Sequence, residues 1–447
     1  MKIAILAAGA AGMYCGSCLR DNTLAAALLR AGQKVTLIPL FTPLRTDTPD
    51  VSIDQVFYGG VNVYLQHATR IFRKTPRVVD WLLDSKWLLS FAARFGANSD
   101  PSDLGALTLS ILRGEEGPAI KELRRLMEFL VTQVKPDVVC LPNLMFIGVA
   151  RLFRRELGLP VVCELTGEDI FLDAMNESDQ AEARKIIRER CDDVSRFVAT
   201  SSYYADHMAE YLGLPRERIE VVYSGLPREY LDGVSAHATG APSNGQAVSR
   251  PPTIGYFARI CPEKGLQRLV DALLLLKQLQ RGIDVRLRIA GYLGGAYKKW
   301  FAALRQRVAQ SPLADSIEYV GEVDQDGKRD FLNTIDVFSV PTVYPEAKGI
   351  YVLEALAHGV PVVQPAHGSF PELIELTGGG LLVPPGDAPA LAEALAGLLA
   401  DAPRRAQLGQ SGRAAVYSSF TDDAMAGKML SVFEAAQRSL TAQEVTA

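Results

Sequence analysis

Short apolar runs alternate with helix-patterned segments along nearly the whole chain, and this alternation restricts the fold more than any other feature. In the first half, Lys2–Ala7, Lys34–Leu40, Pro136–Leu141, Pro160–Leu165, Arg196–Thr200 and Ile219–Tyr223 read as strands. After a break the pattern restarts with Thr253–Ala258, Val285–Ala290, Ile317–Val320, Val337–Val340, Pro361–Pro365 and Gly380–Val383. Continuous apolar runs of this kind suit parallel strands covered on both faces, and strands alternating with helices build right-handed crossover units. The break, Asp232–Pro252, is rich in Gly, Ala, Ser and Pro and nearly lacks large apolar residues, as linkers do. The expected fold is therefore α/β, with two doubly wound domains at 1–230 and 252–418 and a linker at 231–251. A last helix within 419–447 (about Asp422–Leu440) is expected to pack back on the first domain. Ligands bind beyond the carboxyl ends of strands in such sheets, so the domains are expected to face each other across a cleft at those ends.

Composition narrows the function classes. A chain of 447 residues accommodates two or three domains of ~150 residues. With 48% hydrophobic and 22% charged residues it has material for sizeable cores. A net charge of −4 argues against a chain built to hold nucleic acid. Six cysteines are too sparse for a disulfide scaffold. The start Met-Lys-Ile-Ala-Ile-Leu reads as a strand, and there is neither a signal-peptide pattern nor an apolar run of ~18 residues, so a cytoplasmic location is expected.

The stretch from Val340 to Val363 concentrates candidate chemistry. It carries a turn through Pro341 and Pro345, a carboxylate at Glu346, and a helix opening near Gly349 that Gly359 and Pro361 stop. Ile350, Val352, Leu353, Ala355, Leu356 and Ala357 make that helix apolar nearly all round, the pattern of a buried helix. Glu354 is thus a carboxylate on a buried element, costly unless donors satisfy it, and a ligand's hydroxyl pair would do so. The unpaired N–H groups at the helix start favour a phosphate. Arg259 and Lys264, after the first strand of the second half, suit two cations converging on a diphosphate. A glycosidase-like pairing of Glu346 with Glu354 is the weaker reading.

Four motifs fall in order: Arg259…Lys264-Gly265, Glu346-x7-Glu354, Gly368-Ser-Phe-Pro-Glu372 and Gly380-Leu-Leu-Val-Pro-Pro-Gly-Asp387. With these the second half, roughly Pro252–Ala400, resembles the retaining glycosyltransferases of family 4, of GT-B fold with two Rossmann-like domains; the first half resembles them through strand alternation and a glycine loop. The resemblance implies an acceptor-binding first domain and a second domain that holds a nucleotide-sugar, the donor being a substrate and no cofactor or catalytic metal being required. It implies that Arg259 and Lys264 bind the donor diphosphate and that Glu346 with the backbone at Gly349 holds the transferred sugar. Glu354 would then accept from the ribose diol, while Ile350 and Tyr351 offer N–H groups to phosphate. In the family the donor phosphate itself is thought to help deprotonate the acceptor, so no enzymic nucleophile is needed.

The sequence also departs from the family. Where a His-Gly pair usually follows a strand of the first domain, it reads Cys163-Glu-Leu-Thr166-Gly167-Glu168-Asp169. Thr166 and Glu168 are expected in the catalytic set and Asp169 near the acceptor. Lys348 stands where a bulky aromatic is common, suited to an anionic group of the donor or acceptor. The first loop, Gly12-Met-Tyr-Cys15-Gly-Ser-Cys18-Leu-Arg20-Asp21-Asn22, is expected to bring Gly12 to the donor and Arg20, Asp21 and Asn22 to the acceptor. Its Cys-x-x-Cys is read as small loop lining rather than a metal or redox site. Asp324-Gln-Asp326 reads as a turn, and His358, four residues after Glu354 on the same face, either pairs with that carboxylate or simply ends the helix. Arg70, Arg73, Lys74 and Arg77 around Phe72 and Trp81 read as a solvated face rather than a membrane contact.

The expected activity is metal-independent, retaining transfer of a hexosyl or pentosyl group from a nucleotide-sugar to a small-molecule, glycan or lipid-linked acceptor. A nucleotide-sugar epimerase and a catalytically silent nucleotide- or glycan-binding relative are the alternatives, since fold alone does not fix function.

Overall fold

The computed structural model describes residues 1–9, 15–58, 105–234, 250–278 and 284–446. Gly12, the basic stretch around Arg70 to Arg77 and most of the expected linker lie outside the described residues. The chain divides into two compact units, residues 1–225 with 422–447 and residues 226–421. Residues 226–234 go with the second unit because Tyr230 and Leu231 are buried there, Tyr230 Oη lying 3.0 Å from His358 Nε2.

In the first unit a six-stranded sheet runs in the order β2-β1-β3-β4-β5-β6. Its strands are β1 (Lys2–Ala7), β2 (Lys34–Pro39), β3 (Val138–Leu141), β4 (Val161–Leu165), β5 (Arg196–Ala199) and β6 (Ile219–Val221), and every neighbouring pair is parallel. Helix α1 (Gly16–Arg30) follows β1, and α2 (Ser202–Leu212) follows β5 with Ser201 Oγ capping its start by accepting from Tyr204 N–H (3.1 Å). The stretch Gly12–Asn22 is expected as a loop, whereas α1 already starts at Gly16 with Cys15 as its N-cap. The small residues read as loop lining form its first turn.

The second unit repeats the plan. Its sheet order is β12-β11-β10-β7-β8-β9, again parallel throughout. The strands are β7 (Thr253–Phe257), β8 (Arg286–Ala290), β9 (Ile317–Gly321), β10 (Val337–Phe338), β11 (Val362–Pro365) and β12 (Gly380–Val383). The relevant helices are α3 (Leu266–Gln278), α4 (Gln325–Asn333), α5 (Ile350–Ala357) and α6 (Phe370–Thr377). Asp324 is the N-cap of α4, its Oδ1 accepting from Gly327 N–H (2.9 Å), so the Asp-x-Asp sequence starts a helix. In each sheet the connections change direction beside the first strand, between β1 and β3 and between β7 and β10, and ligand crevices open at such switch points.

The long final helix α7 (Asp422–Thr446) belongs to the first unit. Met425, Met429, Val432, Phe433 and Ala436 recur at helical spacing and join Leu24, Ala25 and Leu28 of α1 in one core. Arg30 Nη2 fastens the start of α7 through Asp422 Oδ2 (2.6 Å) and Asp423 Oδ1 (3.1 Å). Among the described residues no helix is long and apolar enough to cross a membrane. Because Phe433 is fully buried in this core, Phe433→Ala is expected to cost about 3–5 kcal/mol of unfolding free energy, read by urea denaturation.

Candidate functional site

Two strands that flank the switch point of the second unit deliver its central ion pair. The chain leaves β7 through Arg259 and a tight turn at Pro262–Lys264, and leaves β10 through the turns that carry Glu346. Lys264 Nζ donates to Glu346 Oε2 (2.5 Å), which also accepts from Tyr351 Oη (2.8 Å) and Tyr344 Oη (3.3 Å). Both charged residues are only 8% exposed. Burial by itself would raise the Glu346 carboxyl, but the Lys264 ammonium and the donated hydrogen bonds bring it down to about 2. Burial likewise disfavours charge on Lys264, and Glu346 outweighs it, so the ammonium is held above its ordinary range. The ammonium lies 5.0 and 5.2 Å from the Tyr344 and Tyr351 ring centroids, close enough for cation–π attraction.

Glycines make this convergence possible. Gly265 has φ +74°, and a Cβ there would collide with the Pro341 carbonyl; a Cβ on Gly368 (φ +62°) would collide with the Glu346 backbone. Ser369 N–H donates to the Glu346 carbonyl (2.7 Å), locking the two turns together. Gly349, in the left-handed conformation, is the N-cap of α5 and supplies no side chain to its first turn. Ile350 and Tyr351 open that helix, and Lys348, half-buried, immediately precedes Gly349. Arg259 is exposed at the same sheet edge.

Glu354 is buried as expected, but its neutralising partner belongs to the protein. Lys328 Nζ of α4 donates to Glu354 Oε1 (2.7 Å), and the ammonium sits 5.4 and 5.6 Å from the Tyr230 and Phe257 rings. Burial of this carboxylate therefore does not by itself call for a ligand. The expected Glu354–His358 pairing is replaced by another: His358 Nδ1 lies 2.7 Å from Asn333 Oδ1 and its Nε2 3.0 Å from Tyr230 Oη. The reason is that α4 and the 228–232 helix pack directly on the end of α5, where His358 is the C-cap.

Buried polar atoms without a protein partner collect at the same edge. They are Thr342 Oγ1, Gln364 Nε2 and Ser369 Oγ, on residues at most 2% exposed. Gln364 is oriented by Val340 N–H, which donates to its Oε1 (3.3 Å). Unpaired buried donors and acceptors are costly, so their concentration where α5 and α6 begin marks a surface suited to a polar, anionic ligand.

In the first unit, the loop after β4 gathers a second polar cluster. Glu168 is buried and accepts from Thr166 N–H (2.6 Å) and Leu144 N–H (3.3 Å). Burial pushes its carboxyl up to about 7 against the pull of those N–H groups, with the Asp169 charge adding to the rise. Asp169 accepts from Tyr204 Oη (2.6 Å) and lies 3.0 Å from His207 Nε2, while Tyr204 Oη accepts from Gly167 N–H (3.0 Å). Arg20, Asp21 and Asn22 are not on an open loop. They lie on α1 and are at most 3% exposed, because that helix starts earlier than expected. Arg20 pairs with Glu164 of β4, and Asn22 pins the segment after β2 through Thr48 Oγ1 (3.1 Å), Pro49 O (3.0 Å) and Val51 N–H (3.0 Å).

Two family models cover most of the chain. The model described as "Glycosyl transferases group 1" matches residues 242–415, and "Glycosyl transferase 4-like domain" matches 22–225. The chain belongs to the family 4 glycosyltransferases. A lipopolysaccharide core biosynthesis mannosyltransferase of Rhizobium meliloti is 33% identical to it over 189 residues, covering 41% of this chain and 52% of that protein. A GDP-mannose-dependent phosphatidylinositol monomannoside mannosyltransferase of Mycobacterium tuberculosis is 29% identical over 254 residues, 55% of this chain and 63% of that one. The chain spans about half the length of the curated relatives it matches. Among solved structures, HepE of Anabaena in complex with UDP and glucose has a TM-score of 0.64 at 16% identity, covering 97% of this chain and 99% of that one. Sucrose-phosphate synthase of Thermosynechococcus elongatus has a TM-score of 0.67 at 18% identity, covering 99% of each chain. The shared architecture is the GT-B fold.

For this family 4 member, sequence reasoning overlooked Lys328, Tyr344, Thr342, Gln364 and Ser369 as site components. Lys328 did leave a signal: with Phe331 and Leu332 it occupies the i, i+3, i+4 positions of one buried helical face. The Glu168 carboxyl has a folded value near 7 against 4.5 in a free chain, so its favourable contribution is complete below about 4.5 and is lost as pH rises through 7. Glu168→Gln is accordingly expected to gain on the order of 1–3 kcal/mol relative to wild type on going from pH 5 to pH 8, read by urea denaturation at both. An unchanged difference at the two pH values contradicts the assignment.

Proposed function

We propose that this protein transfers a hexosyl or pentosyl group from a nucleotide-sugar to an acceptor with retention of configuration, the second unit holding the donor. The observation that carries the reading is the buried Lys264–Glu346 pair at the β7/β10 switch point, surrounded by unpaired polar atoms and an uncapped helix start. Lys264 has three N–H donors and spends one on Glu346, so the ammonium can also donate to a phosphate oxygen. With Arg259 and the α5 N–H groups of Ile350 and Tyr351, it stabilises the charge that builds on the departing nucleoside diphosphate. No metal is needed for that step. Glu346 and Gly349 hold the sugar, Lys348 meets an anionic group, and Glu354, set in place by Lys328, accepts from the ribose hydroxyls. The acceptor hydroxyl loses its proton to the leaving phosphate as the new glycosidic bond forms on the face from which the old one breaks. In the first unit Thr166, Glu168 and Asp169 are the residues proposed to serve catalysis and acceptor binding. The acceptor class remains that of a small molecule, glycan or lipid-linked sugar, the last named for relatives that act on phosphatidylinositol mannosides.

Nucleotide binding tests the reading. UDP, GDP, ADP and their sugars are compared by thermal shift, where a ligand at 100 times its Kd adds about 2.7 kcal/mol. One nucleotide series is expected to stabilise wild type and to lose that shift in a Lys328→Met/Glu354→Gln double variant. The double change is the cleaner probe, because removing Glu354 alone strands the buried ammonium at a cost of about 3–5 kcal/mol. Wild-type nucleotide shifts in a folded double variant would sink the donor-site assignment. Release of nucleotide only when an acceptor is added separates transfer from epimerisation and from silent binding.

A further inference from the structure

The Cys-x-x-Cys sequence at the start of α1 has no part in the proposed transfer. Cys15 is the N-cap of this fifteen-residue helix, with extended backbone (φ −119°, ψ 124°), and Cys18 lies on its first turn. N-cap and third helical residues have side chains on the same side of the first turn, the geometry that capping boxes use. The Cys15 sulfur is close enough to Cys18 to push that thiol's pKa up. Cys15 is half-buried and Cys18 is 1% exposed, so one thiol is reachable and the other is shielded behind it. The Cys15 side chain makes no capping bond to the helix backbone. Among the described residues no group of three or more His, Cys, Asp or Glu is arranged to hold a metal. The remaining cysteines are separately buried: Cys140 and Cys163 on β3 and β4, Cys191 and Cys261 elsewhere.

We infer that Cys15 and Cys18 form a reversible intramolecular disulfide, with Cys15 as the attacking thiol and Cys18 as the resolving one. The Cys15 thiolate attacks a low-molecular-weight disulfide, which forms a mixed disulfide and expels one small thiol. The Cys18 thiol, losing its proton, then attacks Cys15 Sγ and expels the second. The two protein sulfurs are oxidised by two electrons in total, and the small disulfide is reduced to two thiols. The neighbouring Cys15 sulfur and then burial hold the Cys18 proton firmly, as suits a shielded partner that reacts only once Cys15 is activated. The disulfide closes beside the β1–α1 connection, at the ligand edge of the first unit's sheet.

The test uses the full chain, oxidised glutathione as the probe, and a denaturing quench with N-ethylmaleimide. Wild type, with six alkylatable thiols when reduced, is expected to retain four, carry no glutathione and recover all six after dithiothreitol. Its Ile3–Arg20 tryptic peptide should be about 2 Da lighter without reduction. Cys18→Ala is expected to trap one glutathione on Cys15, and Cys15→Ala to keep its remaining thiols. The inference is overturned if wild type keeps six thiols, or if it holds glutathione on Cys15 as durably as Cys18→Ala does. The wild-type mass decides the matter even where a variant fails to fold.

Discussion

The salt bridge between Lys264 and Glu346 is the interaction on which the second unit's site depends. It joins the turns that leave β7 and β10, the two strands between which the sheet reverses its order of connection. Such a buried pair adds little net stability, since desolvation consumes most of the Coulomb attraction, but removing one partner leaves an exposed cost. Its value here is positional. Tyr344, Tyr351 and the backbone of Lys348 all converge on Glu346, and Gly368 and Ser369 close over its main chain. Those turns in turn set the starts of α5 and α6.

A second buried pair, Lys328–Glu354, repeats the device within α5 itself, whereas Glu346 lies in the turn before that helix. The two carboxylates are thus held by two ammonium groups from different segments, each ammonium lying over aromatic rings. This arrangement fixes the acceptor atoms before any ligand arrives, which lowers the ordering cost of binding. In the first unit the polar groups are organised differently. Arg20 and Glu164 cancel one another in the core, whereas Glu168 relies on backbone N–H groups and pays for its burial with a raised carboxyl.

How much of this was legible in the sequence differs by level. The twelve strands were readable because parallel strands covered on both faces are continuous apolar runs, and each expected run contains a strand. Gly349 and Gly359 framed α5 correctly because glycine is what the backbone there requires. The start of α1 was misplaced, since Gly16-Ser17-Cys18 has loop-like composition and Cys15 is an unusual N-cap; tertiary packing against α7 overrode that local preference. Arg20, Asp21 and Asn22 were consequently assigned to a loop when they are interior residues.

By itself the sequence determined the α/β class, the two-fold repetition of the strand pattern and the position of Glu354 on a buried helix, because periodicity and apolarity are local properties. Which charges neutralise which was decided only by the tertiary structure. Lys328 and Glu354 are separated by 26 residues, Lys264 and Glu346 by 82, and Arg20 and Glu164 by 144. Electrostatic pairing depends on distance in space, and that distance is set by the crossover connections of the sheets rather than by neighbours along the chain.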